Sequence, residues 1–143
     1  MKNNIKPSDL IKERDSLVKK IKNNWAKMSL ANTEKDVKLS PKLIFKAIEE
    51  DSMKLIKVKI AIQAINLGIK SLKDLPENNL YGSIYMMQQQ KETRTKLSLL
   101  PVNSESEMNA EDVKKIISKL DSEIKKLSIL IENLNSIILT INN

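Results

Sequence analysis

The strongest pattern in the chain is at its C-terminal end. Val113, Ile117, Leu120, Ile124, Leu127, Ile131, Leu134, Ile138 and Ile141 fall on alternating four- and three-residue steps, the spacing of a left-handed coiled-coil seam. Ile116, Ile129, Leu130, Ile137 and Leu139 widen that stripe toward the C-terminus. The spacing predicts one amphipathic helix over about 110–141, roughly 45 Å long at 1.5 Å per residue. Such a helix offers more apolar surface than three shorter partners need, and this predicts self-association.

Three shorter helices precede it. The first is expected over about 8–30, capped by the Ser8 hydroxyl with Asp9 in its first turn. Leu10, Leu17, Val18, Ile21, Trp25 and Met28 form its apolar face. Residues 31–39 keep no period and read as a loop. Ser40 and Pro41 then give an N-cap followed by proline at the first helical position, where its missing N–H costs nothing. The second helix, about 41–67, carries Ile44, Ile48, Asp51, Leu55, Val58, Ile62 and Ile65, a stripe interrupted once by a carboxylate that would fix register. Its second half is apolar nearly all round, as if covered by several neighbours, and Gly68 suits the left-handed position that ends a helix. A connector broken by Pro76 leads to a third helix, about 79–100, opened by Leu80, Tyr81, Ile84, Tyr85 and Met87. Residues Gln88 to Lys96 contain no apolar side chain, so this stretch either faces solvent or lines a polar cavity. Pro101 stops the helix. After a polar linker, Asn109 and Asp112 are spaced as a capping box. The fold class is therefore all-α: an antiparallel helical bundle with coiled-coil character, read as a single helical domain over 1–143.

Composition narrows the chemistry. The chain has no cysteine and no histidine, which excludes disulfides and thiolate metal sites and removes the usual triads and the commonest neutral-pH base. We expect no enzyme, no metal and no cofactor. The longest apolar runs fall far short of a membrane span and the polar start lacks a signal-peptide core, so a cytoplasmic protein is expected. The net charge is +7 and uneven. Residues 1–30 hold eight basic and three acidic groups, whereas 102–143 hold five and seven. An anionic partner, charge-steered assembly of like subunits and the lysine bias of an AT-rich genome each account for this.

Three segments carry a family likeness. Leu10-Ile-Lys-Glu-Arg-Asp-Ser-Leu17 with Ile21, Ala64-Ile-Asn-Leu-Gly68, and Lys91-Glu-Thr-Arg-Thr-Lys-Leu-Ser-Leu-Leu100, in this order before a long terminal helix, resemble the septicolysin-like family of small bacterial helical proteins. The resemblance implies a helical fold, and the family's name implies a cytolysin. No catalytic residue is carried over. The chain departs from the pattern at 31–39 and in its glutamine run. Its terminal helix also lacks the basic polar face that membrane lysis requires.

Candidate binding residues centre on the two arginines. Of 25 basic residues only Arg14 and Arg94 are arginines, and the planar guanidinium suits phosphate or carboxylate in a way lysine cannot imitate. The bland alternative is an ion pair, with Glu13 or Glu92. Tyr85, Gln88, Lys91 and Thr95 lie near Arg94 at helical spacing and make a donor-rich surface fit to read a nucleotide; the alternative is a solvated face. Trp25, with Arg14, Lys22 and Lys27 nearby, would stack a base unless it is core. The leading expectation is a homo-oligomer that sequesters an anionic small molecule, such as a nucleotide signal, between subunits, in the manner of a phage counter-defence inhibitor. The alternatives are a coiled-coil structural or adaptor protein with a protein partner, and nonspecific nucleic-acid binding by the first helix.

Overall fold

The computed structural model describes residues 6–34, 39–68 and 80–142, with side chains of the last helix described as far as Asn135. Four α-helices follow in order, α1 (Pro7–Thr33), α2 (Pro41–Asn66), α3 (Leu80–Ser98) and α4 (Ala110–Asn142), with no strand among the described residues. The expected Pro76 break and the side chains of Ile137, Ile138, Leu139 and Ile141 lie outside them.

Neighbouring helices run antiparallel. Trp25 meets Phe45 edge to face, with ring centroids 6.0 Å apart, and Lys20 meets Asp51, so numbers rise along α1 as they fall along α2. Arg94 with Asp121 and Gln90 with Glu123 set α3 against α4 in the same sense. The α1–α2 and α3–α4 hairpins are closely packed internally and meet along a lighter α2–α3 seam. Leu10, Leu17, Ile21, Trp25 and Met28 of α1 pack with Phe45, Ile48, Leu55 and Val58 of α2. Leu97, Leu100, Met108 and Val113 close the same core from the second hairpin. Met28 and Ile48, both fully buried, lie at its centre, where every methylene kept from water stabilises the fold by roughly 0.8 kcal/mol.

Several local signals act as the sequence predicts. Ser40 accepts a hydrogen bond from the Leu43 N–H at 3.3 Å and Pro41 occupies the first turn. Asn109 and Asp112 bond each other's backbone N–H reciprocally, at 3.3 and 2.9 Å. Gly68 has φ +76° immediately after the last residue capping α2. Trp25 is core.

Others are corrected. The first helix starts at Pro7, one residue before Ser8, and its N-cap Lys6 makes no side-chain capping bond; proline preset at the first position substitutes for a cap. Val18 is exposed, as are Ile65 and Leu67 at the end of α2, so that end is not enclosed on all sides. The third helix stops at Ser98, two residues short of the expected end. There the Thr95 and Ser98 hydroxyls bond the Lys91 and Thr95 carbonyls, and Leu99 and Leu100 tighten into a turn ahead of Pro101.

The expected loop at 31–39 is the largest departure, because α1 runs through Thr33 and buries Asn32. The Asn32 amide donates to the Pro101 carbonyl at 2.9 Å and the Met108 carbonyl at 3.1 Å, and accepts from the Met108 N–H at 3.0 Å. Asn103 donates to the Thr33 carbonyl and the Ser106 hydroxyl to the Asn32 carbonyl. Polar groups of the linker thus satisfy the open carbonyls at the end of α1. This docks the 101–108 linker and fixes where α4 begins.

Candidate functional site

Within one chain the six expected binding residues are not gathered in one place. Arg14 pairs with Asp15 at 3.1 Å, and Arg94 pairs with Asp121 through both Nε and an Nη, so their partners are not Glu13 and Glu92. The hydrogen bond that Arg94 donates to the Asp121 carboxylate holds its guanidinium above its ordinary pKa. Gln88, Lys91 and Thr95 share an exposed face of α3, with the Thr95 hydroxyl turned back to the Lys91 carbonyl at 3.0 Å. Tyr85 lies half-buried beneath the Lys59 ammonium, 5.9 Å from the ring centroid. By helix register, Arg14 is level with the second half of α2 and Arg94 with its first half, about 15 Å apart along the bundle.

Within the polar stretch of α3 the buried residues are Gln89 and Thr93, with Met86 and Gln90 beside them. They belong to two cavities, one on each side of the α2–α3 seam. Gln89 lines both, and its amide donates to the Ser52 hydroxyl at 3.3 Å. The polar stretch of α3 therefore turns one side, Gln89, Gln90 and Thr93, to largely apolar cavities while Gln88, Lys91 and Thr95 face water.

The first cavity, about 190 Å³, lies among α1, α2 and α3. Its walls are Val18, Ile21, Trp25 and Leu55, and Lys22, Lys59, Gln89, Glu92 and Lys96 complete the lining. Each helix contributes one lysine. Among the described residues no carboxylate lies within ion-pair distance of these three ammonium groups. Three positive groups against the one carboxylate of Glu92 leave a locally cationic pocket with an aromatic wall, suited to an anion carrying a flat or apolar body. Lys22 and Lys96 are exposed at its mouth and Lys59 is half-buried.

The second cavity, about 390 Å³, is a cleft among α2, α3 and α4. Phe45, Met53, Ile56, Met86, Ile116 and Leu120 form its apolar lining. Glu49, Ser52, Gln90, Thr93, Lys119 and Glu123 supply its polar atoms. Burial pushes the Glu49 carboxyl above its ordinary pKa of 4.5; Lys119 opposes this and Glu123 adds to it. Among the described residues no cluster of three or more carboxylates is arranged to hold a metal ion, and no helix is long and apolar enough to cross a membrane.

Set against protein-family models, curated proteins and solved structures, the chain matches none.

Proposed function

We propose that this is a non-enzymatic helical binding protein that forms a homo-oligomer and sequesters an anionic small ligand, such as a nucleotide, in the lysine-lined cavity. The observation that supports this reading most directly is the convergence of Lys22, Lys59 and Lys96, from three different helices, on a cavity walled by Trp25. Three ammonium groups beside apolar walls favour a phosphate joined to a flat body. Arg14 and Arg94 already hold carboxylate partners, so the anion is assigned to lysines instead. Sequestration asks only for stoichiometric capture, which a chain without cysteine or histidine performs as well as any other. On this reading, the resemblance to septicolysin-like proteins concerns helix order rather than lysis.

Trp25 is the only tryptophan and reports on this cavity directly. Titrating the protein with adenosine monophosphate, and separately with inorganic phosphate, while following tryptophan fluorescence and heat should give saturable 1:1 binding per chain. Lys22→Ala combined with Lys96→Ala should weaken it by about a hundredfold or more, since charge-assisted contacts carry about 1.5–3 kcal/mol each. Arg14→Ala should leave it unchanged. Equal affinity in the lysine double variant, or no saturation with either probe, would overturn the assignment.

A second reading, a coiled-coil structural or adaptor protein, is favoured by one observation. Ile124, Leu127, Ile131 and Leu134 of α4 are only half-buried, and Ile129 is 50% exposed.

A further inference from the structure

The larger cleft has chemistry opposite to that of the lysine cavity, and the two inferences are independent. Its polar atoms are mainly acceptors. Gln90 donates from Nε2 to the Glu123 carboxylate at 2.8 Å, which fixes the orientation of the amide, because a carboxylate can only accept. Its Oε1 is then left buried without a partner, and a buried carbonyl without a donor costs about 1–3 kcal/mol. Glu49 and Glu123 add two carboxylates against the single ammonium of Lys119, which is exposed at the rim. Bringing an anion here would crowd acceptor upon acceptor. A primary ammonium brings three donors and no acceptor.

The rest of the cleft is apolar. Phe45, Ile56, Ile116 and Leu120 present hydrocarbon on the sides formed by α2 and α4, and a ligand that removes such surface from water gains about 25 cal/mol per Å². We propose that the α2–α3–α4 cleft is a binding site for a small apolar amine, its ammonium donating to the Glu123 and Glu49 carboxylates while its hydrocarbon body covers Ile116 and Leu120. This gives the site selectivity over an alcohol or hydrocarbon of equal size, since both would leave the carboxylates less well neutralised.

The test is calorimetry on the full chain with n-hexylamine, n-hexanol and hexanoate, combined with NMR of methionine methyl groups. Hexylamine should saturate at one per chain and bind about tenfold or more tightly than hexanol, the size expected of one charge-assisted hydrogen bond. Hexanoate should bind most weakly. Met53 and Met86 methyl signals should shift on binding, because both line the cleft, while those of Met28 and Met108 should not. Glu123→Gln should reduce the preference for hexylamine over hexanol without changing hexanol affinity, which separates loss of the carboxylate from loss of the cleft. Hexylamine binding no tighter than hexanol, hexanoate binding tightest through Lys119, or shifts confined to Met28 and Met108 would each overturn the proposal. Phosphate binding at the lysine cavity is scored separately by Trp25, so failure of one site does not bear on the other.

Discussion

Asn32 and Met108, 76 positions apart, join as two strands of a sheet would: the asparagine amide accepts from the Met108 N–H at 3.0 Å and donates to the Met108 carbonyl at 3.1 Å. Since the same amide nitrogen also donates to the Pro101 carbonyl, a single buried side chain satisfies three backbone groups of the linker between α3 and α4. Asn32→Ala should cost about 2–4 kcal/mol, because those groups lose their partners away from water. Asn32→Asp should cost at least as much, since a carboxylate would face two carbonyl oxygens with no proton to share. Urea denaturation followed by circular dichroism measures both; a loss under about 0.5 kcal/mol would show that water substitutes for the amide.

A pair of opposite predictions concerns Asp51. Its carboxylate is buried, with one oxygen 3.5 Å from the Lys20 ammonium and the other without a partner. Desolvating a carboxylate for one long contact with an exposed lysine is a poor exchange. Asp51→Leu, continuing the stripe between Ile48 and Leu55, should stabilise the chain by about 1–3 kcal/mol, whereas Lys20→Met should destabilise it by about 1 kcal/mol, since it strands the charge. Thermal unfolding of the two variants should move in opposite directions. If both fall, Asp51 contributes more through register than its own solvation costs.

These residues show what was legible in the sequence. Signals complete within four or five positions, such as Ser40 with Pro41, Asn109 with Asp112, and Gly68, read correctly because the chemistry that makes them is local. Asn32 did not, because a lone polar residue after the last apolar step looks like the start of a loop until its partner, 76 positions away, is in view. The site on α3 was missed for a related reason. Between Gln88 and Lys96 no apolar side chain sets the rotation of the helix, and one residue is 100° of turn, enough to exchange Gln88 for Gln89. One signal was present: stepping back from Leu97, which is buried, by four, four and three reaches Thr93, Gln89 and Met86.

Glu49 makes the pH prediction. Its pKa is raised from 4.5, chiefly by burial, so the folded chain holds this proton more tightly than the unfolded chain does. The stability from this group is therefore full below the unfolded pKa and is lost as pH rises through the folded one. Glu49→Gln should remove that loss, so the variant's gain over the parent should be larger at about pH 7 than at about pH 4. The side chain remains partly open to water, which keeps the difference small. Urea midpoints at both pH values measure it, and a variant that gains more at low pH would reverse the assigned sign.

The last prediction concerns α4. In heptad terms Ile117, Ile124 and Ile131 occupy the a positions and Leu120, Leu127 and Leu134 the d positions, a distribution that favours two parallel strands. Its first turns are held in the core of the chain by Val113, Ile116, Ile117 and Leu120, leaving the half-buried stretch from Ile124 to Leu134 to meet a second copy. We expect a dimer by native mass spectrometry, and Ile124→Lys with Ile131→Lys should yield a monomer that keeps its helical circular dichroism. The chain has no cysteine, so any disulfide in a Leu134→Cys variant reports pairing between copies. Parallel strands put the two d positions side by side, and oxidation should cross-link the dimer nearly completely. An antiparallel dimer would leave Leu134→Cys uncrosslinked, and an unchanged mass in the double lysine variant would place the subunit contact elsewhere.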